Sequence, residues 1–234
     1  MTEKQFQAAQ HDKTRETYIE VDAIRAFCED LMYPLYHLGF ETYQQTVSQG
    51  NGNSPNEQIP FQYSLHVEHC EDILEHKAFL GEAGVDPRRA LAERLVRDIP
   101  LHVTTLAYNM SFEKEVLRKL AELFEDLREH LLNIHDNMKD LMTPFQKKYY
   151  VTPLIQESHA IHYIVPALVP EFEKIYQEIE DSQNGAEVIN TYASLHVKSL
   201  EEQERVKKQL LAHGELDTLA MVKVLDKLRE VSYS

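Results

Sequence analysis

Tryptophan is missing from this chain, and cysteine occurs only twice, at Cys28 and Cys70. Two cysteines exclude a disulfide-stapled scaffold and a four-cysteine zinc site. Basic residues are scarce: 24 Lys and Arg stand against 39 Asp and Glu, a formal net charge of −15. That excludes a polybasic coat for nucleic acid or membrane. A polyanionic substrate must then be held by a few placed cations or by metal ions. No apolar run approaches the roughly 20 residues of a membrane span. The start, MTEKQFQAAQHDKTRE, lacks the apolar stretch of a signal peptide. The expectation is a cytoplasmic protein with no membrane partner. There is no Walker-type phosphate loop, GxGxxG, GxSxG, CxxC or HExxH.

What is present is enough to fold. Hydrophobic residues make up 43% of 234 residues, enough for a core. That length suits one domain. Residues 1–15 are polar and without period, a disordered lead-in, and residues 16–234 read as a single domain. Tyr18, Val21, Ile24, Phe27 and Leu31 recur at helical steps over 16–31. YPLYHLGFETY, IPFQYSLHVEH and ILEHKAFL read as three strands of an antiparallel meander, with the Gln/Asn/Ser/Gly-rich 44–58 a flexible loop and Cys70 at a turn. Asp86 and Pro87 open a helix over 86–98. Residues 101–108 suit a fourth strand, and Ser111 caps the helix SFEKEVLRKLAELF. Segments 125–142 and 200–231 have helical spacing, while Pro144, Pro153, Pro166 and Pro170 divide the middle. Three strands, helix, strand and then helices predict an α/β fold with a mixed sheet, flanking helices and a helical C-terminal half.

Twelve histidines include the pairs His66 and His69, His130 and His135, and His159 and His162. None has a third ligand at metal spacing, and scattered surface histidines are the favoured reading. Three other places carry more information. Glu41 follows apolar residues at a strand end, where a side chain can enter a cleft. Asn109 closes the fourth strand, with Phe112 and Glu113 opening the next helix. His213 and Asp217 lie four residues apart on one face of the last helix. Core-type residues surround Asp217, and a carboxylate among them calls for a partner or a metal.

In order and local sequence these segments resemble the DEDD superfamily of 3′–5′ exonucleases, which have an RNase H-like fold. That superfamily has Asp-x-Glu at the end of its first strand. It has Asn-x-x-(Phe/Tyr)-acid where the fourth strand meets its helix. It has an Asp in the last helix, with Tyr or His four or five residues before it. More closely, HLGFETY, QIPFQYSLHVEH, DPRRALAERL, AYNMSFEKEVLRKLAELF, LMTPFQKKYYVTP, VPALVPE and GELDTLAMVKVLDKL resemble a bacterial domain of unknown function. That domain often sits beside a RecB-like nuclease region.

The resemblance implies a nuclease-like domain for metal-dependent hydrolysis of nucleic-acid phosphodiesters. In such chemistry two Mg²⁺ or Mn²⁺ ions about 3.5–4 Å apart activate a water and stabilise the leaving oxygen. It assigns Glu41, Glu113 and Asp217 as metal-binding acids and His213 as the group that orients or deprotonates the water. Asn109, Phe112 and Thr42 fall among the substrate-binding positions. The implied partners are single-stranded DNA or RNA ends and a RecB-like nuclease domain. This chain departs from the pattern at the first acid, where it has Gly39, and at 157 and 162, where Glu157 and His162 replace a Gly and a Lys. Loss of the bridging acid implies weaker metal binding and impaired catalysis. The alternative is a catalytically inactive module of a larger nuclease-like protein, binding nucleic acid or a protein partner.

Overall fold

Along QIPFQYSLHVEH, Tyr63, Leu65 and Val67 alternate with Gln62, Ser64, His66 and Glu68. Side chains of a strand alternate between faces, so this segment presents one apolar and one polar face. A computed structural model describes residues 17–45, 57–70, 73–153, 155, 158–170, 172, 189 and 191–233. In it this segment is β3 (Glu57–Cys70), paired antiparallel with β2 (Leu35–Gln45) and β4 (Ile73–Leu80). The meander is therefore as the sequence predicts. Positions 46–56 of the predicted loop, residues 71 and 72 of the turn and the lead-in 1–15 lie outside the described residues.

Two short parallel strands extend the sheet beyond β2. They are β5 (Thr104–Ala107) and β6 (Met138–Asp140), and the order is β4-β3-β2-β5-β6. A separate two-stranded ribbon joins β1 (Tyr18–Ile19) to β7 (Tyr150–Val151). The chain is thus mixed α/β, as expected. The strand expected over 101–108 is shorter, and 125–142 is not one helix. It holds α4 (Arg128–Asp136) and then β6. The apolar residues of this segment fit a helix equally well, and only pairing with β5 makes Met138–Asp140 a strand.

Helices cover both faces. On the apolar face of the meander, α2 (Arg88–Asp98), α3 (Ser111–Leu123) and α4 pack through Leu91, Leu95, Val116, Leu117 and Leu131 against Leu38, Tyr63 and Leu65. Each such fully buried aliphatic side chain contributes about 1.5–3 kcal/mol. Helix α2 begins one residue later than expected, with Pro87 at the N-cap, and Asp86 accepts the Arg88 backbone N–H at 3.1 Å as an Asx-turn just ahead of it. Ser111 is not a cap either. It is the first residue of α3, and its hydroxyl donates to Asn109 Oδ1 at 3.1 Å.

On the polar face lie α1 (Val21–Glu29), α6 (Ile161–Leu168) and the 33-residue α7 (Leu200–Ser232), with α5 (Thr143–Gln146) beneath α1. Ser199 caps α7 by accepting the Glu202 N–H at 3.2 Å. At 1.5 Å per residue this helix is about 50 Å long. It crosses β2 and β3, so it alone spans from one end of their polar face to the other.

Candidate functional site

The polar face of β3 is almost fully buried under α7, and each of its side chains has a partner. Gln62 donates to the Leu210 carbonyl at 2.7 Å. Ser64 and His66 each meet the Thr218 hydroxyl at 2.8 Å. Burial, reinforced by His76 and His37, holds the His66 imidazole down at about 3, so it is neutral. At the far end Glu68 bonds His37 Nε2 at 3.2 Å, Tyr33 and Arg229. Burial alone would raise the Glu68 carboxyl, but the His37 and Arg229 hydrogen bonds overcome it and bring it to about 2. These contacts fix the height and register of α7 over the sheet. Gly214 is the point of closest approach: a Cβ there would lie 2.5 Å from Gln62 Nε2 and 3.3 Å from Ser64 Cβ.

That register decides what lies over the end of β2. Period-two alternation puts His37, Gly39 and Glu41 on the face toward α7. Gly39 pairs with Ser64 and Glu41 with Gln62, and a bulge follows between Glu41 and Thr42. Asp217 and His213 come down from α7. His213 Nε2 is 3.5 Å from Asp217 Oδ2 and 3.9 Å from Glu41 Oε1. One ligand atom from each of the three lies within 4.8 Å of the others.

Glu113 reaches the same cleft from the first turn of α3. The cleft is about 140 Å³, and Glu41, Glu113 and Asp217 line it with Gly39 and Tyr108. No Lys or Arg is among its described lining residues. Glu113 is 7% exposed, and its Oε2 has no hydrogen-bond partner. Burial raises its carboxyl to about 8, its own backbone N–H opposes this, and Asp140 adds to it. Burial, then the Asp217 charge, raises Glu41 to about 7, while His213 draws it down. The cleft thus concentrates three carboxylates, and burial makes the ionised forms of Glu41 and Glu113 costly.

The structure accordingly brings Glu41, Glu113 and Asp217 into the lining of one cleft, with His213 beside Glu41 and Asp217 at its edge. It does not bring Thr42, Asn109 or Phe112 into its lining. Thr42 donates to Gln58 across the bulge at 2.6 Å. Phe112 is exposed on α3. Asn109 takes a left-handed backbone, φ 63°, and lines an adjoining cavity with His159 and His162. The other histidine pairs have separate duties. His69 meets Glu75, His130 donates to the Ile99 carbonyl, and His135 pairs with Asp136. At Gly39 the backbone does not demand glycine: φ is not in the left-handed region, and a Cβ would sit 3.4 Å from Thr218 Cγ2, ordinary contact.

Two residues outside the sequence prediction help to shape the site. Asp140 accepts the backbone N–H groups of Asn109 at 3.0 Å, Met110 at 3.3 Å and Met142 at 2.9 Å. It thereby anchors the turn that launches α3 and Glu113. A short acid bonding the N–H two residues on is an Asx-turn, and Asp140 ahead of Met-Thr-Pro carries that signal. The helical spacing of 125–142 masked it. Tyr108, which donates to the His159 carbonyl at 2.5 Å, forms the wall shared by the cleft and the adjoining cavity. Nothing in its local sequence distinguishes it from a core aromatic.

A family model described as a domain of unknown function, DUF2779, matches residues 36–160, more than half of the chain. The chain belongs to the DUF2779 family. Within this DUF2779 chain the matched span holds Gly39, Glu41, Glu113 and Asp140, while His213 and Asp217 on α7 lie beyond it. No curated protein and no solved structure matches the chain.

Proposed function

We propose that this cleft is a divalent-metal centre for hydrolysis of nucleic-acid phosphodiesters, of the 3′–5′ exonuclease type. The observation that carries the reading is the convergence of Glu41, Glu113 and Asp217 on one cleft, with His213 beside two of them and no Lys or Arg among the described lining residues. Such carboxylates are costly to bury ionised unless a cation is bound among them. Carboxylate oxygens suit Mg²⁺ and Mn²⁺. The ion supplies Lewis-acid polarisation of the phosphate and a more acidic water. Glu41 and Asp217 would hold it from the sheet and the helix, with Glu113 lining the same cleft. His213 lies beside both carboxylates. An antiparallel meander extended by two parallel strands, with helices on both faces, supports the RNase H-like reading.

Single-stranded DNA or RNA ends are the proposed substrate. A polyanion reaches a chain of formal charge −15 through the bound metal rather than through a basic surface. A RecB-like nuclease region as working partner rests on the resemblance of the seven segments. Among the described residues no helix is long and apolar enough to cross a membrane.

Gly39 favours a second reading, because the acid expected there is missing while its place is sterically open. On that reading the fold is a catalytically silent module that binds nucleic acid or a protein. Cleavage of end-labelled single-stranded DNA and RNA with Mn²⁺, run beside Gly39→Asp and Asp217→Asn, separates the two. The nuclease reading expects shortening from the 3′ end by the native chain and its loss in Asp217→Asn. Cleavage only by Gly39→Asp keeps the site assignment and makes the native chain a disabled nuclease. Cleavage by neither overturns the catalytic reading and leaves the binding module.

A further inference from the structure

Ligand chemistry within the cleft goes beyond a generic pair of hard cations. We infer that Glu41, His213 and Asp217 form a single-ion site in which His213 Nε2 is a metal ligand, selecting an imidazole-accepting transition-metal dication (Zn²⁺, Co²⁺ or Mn²⁺) over Mg²⁺. The inference rests on the reading that the cleft binds a metal, and it names the ion and the ligand set.

The geometry carries it. Ligand atoms bound at about 2.0–2.1 Å in a tetrahedral shell stand about 3.3 Å apart. His213 Nε2 lies 3.5 Å from Asp217 Oδ2 and 3.9 Å from Glu41 Oε1, and the whole set is within 4.8 Å. The two sides at His213 are about 0.2 and 0.6 Å wider than a bound shell and the third is at most about 1.5 Å wider, so side-chain movement closes the triangle. These separations are also too long for strong hydrogen bonds, so the imidazole is close to both carboxylates without being firmly bonded to either.

His213 Nδ1 is buried and has no hydrogen-bond partner. Before an ion binds, the two carboxylates therefore draw the ring proton to Nε2, and a bound ion would displace it there. His213 and Asp217 are one turn apart on α7, whose height is fixed at Gly214 and Thr218, between and beside them. Two of the three ligands thus come from one rigid element and the third from a central strand.

A second, independent observation points to a ligand in the same cleft. Glu113 is 7% exposed, lines the cleft and keeps an unpartnered Oε2. It is not part of the close cluster, so it stands ready for a bound water or substrate oxygen rather than for the ion. Gly39 removes the carboxylate that would bridge to a second ion. What remains is one nitrogen and two carboxylates in a tight set. Mg²⁺ seeks a near-ideal octahedron of oxygens, whereas imidazole suits transition-metal dications.

The test uses the full-length chain stripped of metal and titrated separately with Co²⁺, Zn²⁺ and Mg²⁺. Binding is followed by calorimetry, by melting temperature and by the visible spectrum of Co²⁺. The expected result is one Co²⁺ per chain, with the intense visible bands of a four- or five-coordinate ion, and no displacement by a large excess of Mg²⁺. His213→Gln should weaken Co²⁺ binding at least about tenfold while retaining the native circular dichroism. Pulsed paramagnetic resonance of the native chain loaded with Mn²⁺ should show coupling to an imidazole nitrogen, a readout that needs no variant. Lack of that coupling, or two Mg²⁺ per chain with unchanged affinity in His213→Gln, overturns the inference and leaves the oxygen-held metal centre standing. No binding of any ion overturns both.

Discussion

Gly214 is the most exacting packing position over the cleft, and Gly214→Ala tests the register of α7 directly. In an isolated helix this change would stabilise by about 1 kcal/mol, because Gly is the poorer helix former. Here the new Cβ would lie 2.5 Å from Gln62 Nε2 and 3.3 Å from Ser64 Cβ. Gln62 is fully buried and bonded to the Leu210 carbonyl at 2.7 Å, so its amide cannot swing into solvent. Displacing it breaks a buried hydrogen bond, about 1–3 kcal/mol. Lifting the helix instead is overpacking, again about 1–3 kcal/mol. Taking about 2 kcal/mol for each, one route leaves a net loss of about 1 kcal/mol and both together about 3 kcal/mol. At about 2–4 °C per kcal/mol for a chain this size, melting should fall by about 3–10 °C. Thermal unfolding by circular dichroism in metal-free buffer reads this out. Gly39→Ala is the control, since its Cβ meets only Thr218 Cγ2 at 3.4 Å, and it should be neutral or slightly stabilising. A Gly214→Ala protein as stable as the native chain, or more so, would refute the stated contact between α7 and β3.

Three other perturbations follow from the same geometry. Glu68 is depressed to about 2, so its contribution is present above the unfolded carboxyl value of about 4.3 and is lost as pH falls through 2. Glu68→Gln should therefore cost about 3–5 kcal/mol at pH 7, with the gap to the native chain narrowing in acid; a gap in urea unfolding that stays constant with pH contradicts this. Asp140→Ala removes an acceptor shared by three backbone N–H groups and should cost about 1–3 kcal/mol, lowering metal-induced stabilisation by freeing the turn before Glu113. Glu113 is raised to about 8, so stability linked to its protonation is present below about pH 4.3 and is lost as pH rises through 8. In chelator, Glu113→Gln should flatten that fall and melt higher than the native chain at pH 8; a lower melting point there would count against an unpaired buried carboxylate.

Local chemistry written along the chain was enough for the meander, the Asp86–Pro87 helix start to within one residue and the long last helix. Alternation of period two, a short acid before a proline and apolar steps of three and four are properties of neighbouring residues. The acids were legible for the same reason: a carboxylate at the end of an apolar strand or amid a helix's apolar stripe is conspicuous wherever it ends up. Ser111 misled because hydroxyl caps are common, whereas here Asn109 turns left-handed two residues earlier, Met110 is the N-cap and Ser111 starts the helix. Strand β6 was illegible because three residues hold no period, and only the edge of β5 makes them a strand.

The sequence by itself determined which residues carry charge, which faces are apolar, and that a polybasic coat is excluded. Only the tertiary structure decided that Glu41, Glu113 and Asp217 share one cleft with His213 beside it, because they come from β2, α3 and α7. Their distances depend on how closely α7 settles on β3 at Gly214, and a packing distance between elements far apart in sequence is written in no local pattern.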